Sequence, residues 1–153
     1  MSWRNHFQGG EVGHGWVQYH GATDEQTLGI IHERIKEPKN APIKLYLATN
    51  KLIMGVDIQN VKIIIHIRPP NNLHTWEQAS GRARGGNGSK FASEKTITIL
   101  LYNKEDLKEN VDGLTDCMWD FCRSSVCLKQ TSAQFFGYQF DPVDSSWCCI
   151  NCT

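Results

Sequence analysis

Three long β-prone apolar runs and two helical periodicities alternate along this chain. Residues 43–49, 61–67 and 96–102 read as strands, and the shorter run 17–20 is β-prone before it breaks at Gly21. The unbroken apolar stretch around Ile63, Ile64 and Ile65 suits a strand buried on both faces of a parallel sheet. Leu28, Ile31 and Ile35 recur at helical spacing; Thr23, with Gln26 three residues on, opens that helix, and Pro38 stops it. Residues 73–83 predict a short second helix after the loop 69–72, and residues 104–107 open another. Residues 85–88 are a glycine-rich break expected to be flexible. Strands alternating with helices predict an α/β fold with a largely parallel sheet flanked by helices.

The segmentation follows composition. Residues 1–15 are an irregular, Gly- and His-containing lead-in, residues 16–112 carry the α/β pattern, and all six cysteines lie within 113–153. A length of 153 residues fits one domain with a small appendage, and a hydrophobic fraction of 40% is enough for a core. The formal net charge is +0. An autonomous DNA binder usually carries a basic excess, because phosphate neutralisation supplies most non-specific affinity. The basic residues must therefore be arranged locally, or the chain must act beside another domain. No apolar segment follows the polar start Met1 to His6, and Ile63 to Ile65 is too short to span a bilayer. The expectation is a protein that is neither secreted nor membrane-bound, with reduced cysteines. On that view the glycosylation-like triplets at Asn87 and Asn151 are chance matches.

Several residues carry candidate chemistry. In an open α/β sheet, ligands bind beyond the carboxyl ends of the strands. Thr49 follows one such end, where its hydroxyl can bond a phosphate. Gly55 allows close backbone approach, and Asp57 can accept from a ribose hydroxyl or hold an arginine. Gln78, Gly81, Arg82 and Arg84 cluster at the end of the second helix. A guanidinium there can stabilise charge on a transferring phosphoryl group. Each feature alone equally suits an ordinary turn or a solvated basic patch. Cys149 to Cys152 is a C-x-x-C knuckle, the usual half-site of a structural zinc ion, whereas buried reduced cysteines are the plainer alternative.

The order of these features resembles the second motor domain of RecQ-type superfamily 2 DNA helicases. The matching residues are Tyr19-His20, Ala48-Thr49, Met54-Gly55-Val56-Asp57, Val61 with Ile65-His66 and Pro70, and Gln78 with Gly81-Arg82-Ala83. The resemblance implies a RecA-like parallel sheet followed by a small helical, cysteine-rich zinc module. It implies part of an ATP-dependent 3′-to-5′ DNA helicase of repair and recombination, contributing half of an ATP cleft and part of a DNA track. His20, Thr49 and Asn50 would then touch DNA at a single-strand/duplex junction. Gly55, Asp57, Gln78, Arg82 and Arg84 would face the nucleotide, with Arg82 and Arg84 catalytic. The zinc ligands would be Cys127, Cys149, Cys152 and either Cys148 or Cys122. The family setting implies a nuclear location in a eukaryote and a cytoplasmic one otherwise.

Departures from the family pattern qualify this. The second arginine, Arg84, stands one residue early, which turns a helical side chain by roughly 100°. No Gly-x-x-x-x-Gly-Lys-(Ser/Thr) phosphate loop occurs in the sequence. ATP and Mg²⁺ would bind only with a first RecA-like domain, in cis or in trans, and this chain alone is expected to be inactive. Two alternatives stand beside the helicase reading: an inert remnant that docks or binds nucleic acid weakly, and an RNA-directed relative, suggested by Gly81-Arg82-Ala83-Arg84.

Overall fold

The structure, a computed structural model, describes residues 15–36, 44–49, 56, 58, 61–83, 96–108, 111–140 and 148–152. Two compact units share the chain: Met1–Ile63 with Gly81–Ile97, and Ile64–Ser80 with Thr98–Thr153.

In the first unit, β1 (Trp16–Tyr19) pairs in parallel with β2 (Leu45–Ala48), Trp16 opposite Leu45 and Tyr19 opposite Ala48. The Gly15 carbonyl anchors one end by accepting from the amides of Lys44 and Leu45, and Thr49 N–H donates to the Tyr19 carbonyl at the other. Helix α1 (Glu25–Lys36) crosses between them, as a parallel connection requires. Its apolar stripe buries Ile31 and Ile35 against Tyr19, with Val17, Leu28, Tyr46, Val56 and Ile58 packed around them. Each such side chain contributes about 1.5–3 kcal/mol when fully buried. The helix starts one residue later than its sequence suggests. Asp24 Oδ1 accepts from Thr27 N–H at 2.8 Å, while Thr23 Oγ1 accepts from His20 N–H at 3.0 Å. Aspartate caps as well as threonine, and its charge complements the helix dipole.

A second two-stranded sheet pairs β3 (Ile63–Ile67) with β4 (Ile97–Leu101). Ile97 N–H donates to the Lys62 carbonyl and Arg68 N–H to the Leu101 carbonyl, the order that parallel strands require. The even-numbered residues of both strands turn inward. Ile63, Ile65, Ile67, Ile97, Ile99 and Leu101 are exposed, Ile67 at 82%. The expectation that this strand is buried on both faces is therefore corrected. Side chains alternate across a strand, so an unbroken apolar run covers both faces whether or not anything packs on each.

The second unit builds its core from helices. Helix α2 (Leu73–Ser80) is capped by Asn72, whose Oδ1 accepts from the amide and hydroxyl of Thr75 at 2.8 and 3.0 Å. It ends at Ser80 rather than Ala83, because Gly81 and Arg82 form a turn. The residues 104–107 form a 3₁₀ turn, closed by a capping box between Asn103 and Asp106. Helices α3 (Asp116–Arg123) and α4 (Leu128–Phe135) follow. Leu73, Trp76, Met118 and Phe121 form the core, joined by Leu100, Leu114, Cys122, Leu128 and Phe136. No described helix is long and apolar enough to cross a membrane.

Candidate functional site

The carboxyl ends of β1 and β2 lie side by side because Tyr19 pairs with Ala48. The next residues, His20 and Thr49, are therefore neighbours at that end. Thr49 is exposed, and its backbone is held by the bond to Tyr19, which leaves its hydroxyl available to a ligand. His20 is fixed locally: its Nδ1 accepts from Ala22 N–H at 3.1 Å. Asn50, Gly55, Asp57 and Arg84 lie outside the described residues.

Gln78 is exposed on the last turn of α2, and Arg82 is half-buried in the turn that follows. The opposite side of α2 is committed to packing. Trp76 stacks obliquely against Phe121 at 5.5 Å and against His66 at 5.0 Å between ring centroids. Burial pushes the His66 imidazole below its ordinary value, so it is held neutral. Its Nε2 and the Ser80 hydroxyl are buried with no hydrogen-bond partner among the described residues.

The second site is built from cysteines. Cys127 stands at the N-cap of α4, and Cys148, Cys149 and Cys152 come from a bend and the closing 3₁₀ turn Ile150–Cys152. The four Sγ atoms all lie within 4.8 Å of one another. Cys127 and Cys148 approach to 3.4 Å, and Cys149 and Cys152 to 3.5 Å. Four thiolates at about 2.3 Å from a tetrahedral zinc stand about 3.8 Å apart, so this donor set suits that ion. Four protein ligands would leave no open position for water, which makes such a site structural rather than catalytic. Two contacts shape the cluster from outside. Leu128 N–H donates to Cys149 Sγ at 3.3 Å, and Asn151 Nδ2 donates to the carbonyls of Ser124 and Val126, both at 2.8 Å. These bonds hold the knuckle to the α3–α4 turn and orient the ligands.

The thiols divide electrostatically. Burial pushes Cys127 up, but the amides of Gln130 and Lys129 and the thiols of Cys148 and Cys152 outweigh it and bring it down to about 7. The same sharing with Cys149 and Cys127 pushes Cys152 up to about 12, and burial raises Cys148. One thiolate held by neighbouring thiols is the arrangement expected of a cluster of donors around one centre.

Of the two candidates for a fourth ligand, the structure brings Cys148 into the cluster. Adjacent Cys148 and Cys149 both reach it because the chain bends there. Cys122 sits on α3 against the apolar core, where burial raises its thiol to about 11, and its carbonyl accepts from the Tyr102 hydroxyl at 2.7 Å. Cys117 is exposed. Sequence reasoning missed Asn151, Glu77 and Ser132. Asn151 lies inside the knuckle, and a side-chain amide there was the one available signal. Glu77 and Ser132 touch across 55 residues with no motif to connect them.

The sequence pattern of the family described as helicase conserved C-terminal domain matches residues 5–86, more than half of the chain. "ATP-dependent DNA helicase RecQ" of Bacillus subtilis (strain 168) is 27% identical over 152 aligned positions, covering 89% of this chain and 24% of that protein. "ATP-dependent helicase wrn-1" of Caenorhabditis elegans is 28% identical over 153 positions, covering 90% of this chain and 14% of that protein. The chain thus spans about a quarter or less of the length of these relatives. Among solved structures, the C-terminal part of the Fun30 ATPase domain aligns with a TM-score of 0.45 at 15% identity, over 84% of this chain and 42% of that one.

Proposed function

Since the chain belongs to the helicase conserved C-terminal domain family and is RecQ-like over most of its length, we propose that it supplies the second half of the ATP cleft and part of the DNA track of a 3′-to-5′ DNA helicase of repair and recombination. Thr49 and His20, side by side beyond two parallel strands, hold the DNA backbone together with Asn50. Gly55, Asp57, Gln78, Arg82 and Arg84 face the nucleotide. A guanidinium at that place donates in a planar fork and neutralises the charge that develops on the γ-phosphoryl group. The sequence has no phosphate loop. ATP and Mg²⁺ therefore bind only against a first RecA-like domain, in cis or in trans. Zinc in the four-cysteine cluster fixes the small helical module that packs on α2. The proposed location is nuclear in a eukaryotic cell and cytoplasmic otherwise.

The observation that carries this reading is the conjunction of the helicase motif order with a four-thiol cluster at the place where the family's zinc module would fall. The decisive experiment pairs metal analysis with reconstitution. The purified chain should hold one zinc, lost in Cys127→Ser, and should show no ATP turnover by itself. Mixed with a first RecA-like domain, it should give DNA-stimulated hydrolysis that Arg82→Ala abolishes. DNA-stimulated turnover by the chain alone would refute the division of labour.

A catalytically inert remnant is the second reading, favoured by the early placement of Arg84 and the net charge of +0. Reconstitution that yields DNA binding without hydrolysis selects it. Stronger stimulation by duplex RNA than by duplex DNA selects the RNA-directed reading.

A further inference from the structure

Among the described residues, the helix that carries Gln78 is gripped from the cysteine side by one polar bond and two aromatic contacts. Ser132 is the buried polar residue of the described core, 6% exposed. Its hydroxyl donates to Glu77 Oε1 at 2.5 Å. Glu77 immediately precedes Gln78 on α2, and Ser132 lies in the middle of α4, whose N-cap is the thiol-bearing Cys127. One turn back on α2, the His74 ring meets Phe136 edge-on at 4.8 Å and Phe135 at 5.7 Å. The N-terminal end of α4, away from Phe135 and Phe136, is tied to the cluster by the bond from Leu128 N–H to Cys149 Sγ. A continuous path therefore runs from the thiols through α4 to Ser132, Glu77 and the last turn of α2.

We propose that Ser132 and Glu77 are positioning residues, through which the metal-bound cysteine cluster sets the helical turn presenting Gln78. The proposal rests on the reading of the cluster as a metal site and of Gln78 as nucleotide-facing. Three physical points support it. An eight-residue helix is too short to hold its shape by intrinsic propensity, so its geometry is set by what it packs against. The side that faces α3 is apolar and permits sliding, whereas a hydrogen bond from a buried hydroxyl to a carboxylate fixes register and direction. The N-terminus of α4 is held by cluster thiols, with Leu128 N–H donating to Cys149 Sγ and the Cys127 thiol facing the amides of Lys129 and Gln130. Removing the metal frees those thiols to move, loosens the first turn of α4 and releases Ser132 from Glu77. Gln78 then loses its fixed aim while the apolar core beneath it survives.

Amide hydrogen exchange on the full chain tests this, after zinc content has been measured. In the zinc-loaded wild type, the amides of residues 77–80 should be protected, and chelation should speed their exchange about tenfold, as loss of one charge-assisted hydrogen bond does. Zinc-loaded Ser132→Ala should already exchange that fast at residues 77–80. It should keep its zinc and leave the amides of α3 unchanged, and chelation should add little further. Ser132→Thr, which keeps the hydroxyl, should restore protection. Equal protection of residues 77–80 in zinc-loaded Ser132→Ala and wild type overturns the positioning role. Uniform acceleration through α3 as well overturns it too, because that is general destabilisation. A chain that binds no zinc overturns the metal reading and the link to it, and the comparison of Ser132→Ala with wild type still reads the Glu77 contact by itself.

Discussion

Met118→Ala offers the most direct test of how the second unit is held together. Met118 is fully buried, at 0% exposure, among Leu73, Trp76 and Phe121. Truncation removes Cγ, Sδ and Cε. At about 0.8 kcal/mol for each methylene-sized group, the lost transfer free energy is about 2.4 kcal/mol. An unrelaxed cavity on the order of 50 Å³ adds about 1.2 kcal/mol, at about 24 cal/mol per Å³. Alanine's better helix propensity returns a few tenths. The expected net loss is about 3 kcal/mol, a large share of the roughly 5–15 kcal/mol that stabilises an ordinary domain. With a urea slope of about 1.5 kcal/mol per M, the midpoint should fall by about 2 M. The assay is urea unfolding of the zinc-loaded chain, followed by tryptophan emission, since Trp76 lines the same core. Met118→Leu conserves volume and should cost less than about 1.5 kcal/mol. A loss below about 1 kcal/mol for the alanine variant, or equal losses for alanine and leucine, would refute the reasoning. Either result would mean that the core relaxes freely, and α2 would then lack a firm seat.

Three further outcomes are expected. His66 has its pKa lowered by burial, so below the ordinary value of 6.5 the unfolded chain takes up the proton first. The stability that the neutral ring contributes is complete above that pH and is lost as pH falls toward the folded value. Urea midpoints at pH 7.5 and 5.5 should diverge in the wild type and converge in His66→Phe, and an unchanged slope in the variant would exclude His66 as the source. Asn151→Ala removes both bonds from the knuckle to the Ser124 and Val126 carbonyls, and zinc affinity should drop about 10–100-fold in competition with a chelating dye. Retained affinity would show that the knuckle orients itself. Zinc uptake in weak buffer near pH 7 should release protons, because the Cys148 and Cys152 thiols are held protonated in the metal-free cluster. A pH-stat trace without acidification would count against thiolate ligation.

The elements with strong periodicity were legible in the sequence. The strands around Tyr46, Ile65 and Ile99, and the helix through Ile31 and Ile35, follow from apolar spacing alone, because backbone geometry imposes those periods on any chain that buries one face. What covers a strand was not legible. Ile63, Ile65 and Ile67 look like a doubly buried strand, yet the structure leaves them exposed. Capping at α1 depended on a choice between neighbouring Thr23 and Asp24, which differ by a fraction of a kcal/mol and are decided by local geometry. At the cysteine cluster, the C-x-x-C spacing marked Cys149 and Cys152, the family resemblance implied Cys127, and the fourth ligand stayed open between Cys148 and Cys122. Only the three-dimensional bend before Ile150 brings both neighbours to one centre. The Glu77–Ser132 contact had no sequence signal, since it joins two helices through residues that would individually suit an exposed surface.

The parallel sense of both strand pairs also governs how this chain reaches its fold. Trp16 must find Leu45, and Ile97 must return to the strand that begins after Lys62, before either ladder gains a hydrogen bond. No hairpin can nucleate either pair, so loop closure comes first and pairing is slow. The Cys149–Cys152 turn needs only a local bend and can close much earlier. Over that interval the β-prone segments wait unpaired, and the aliphatic side chains of Ile65, Ile67, Ile99 and Leu101 stay open to water even after pairing. Open strands with apolar faces capture one another. The refolding yield of the isolated chain therefore falls as its concentration rises, and dilute, zinc-supplemented refolding is the route to native protein.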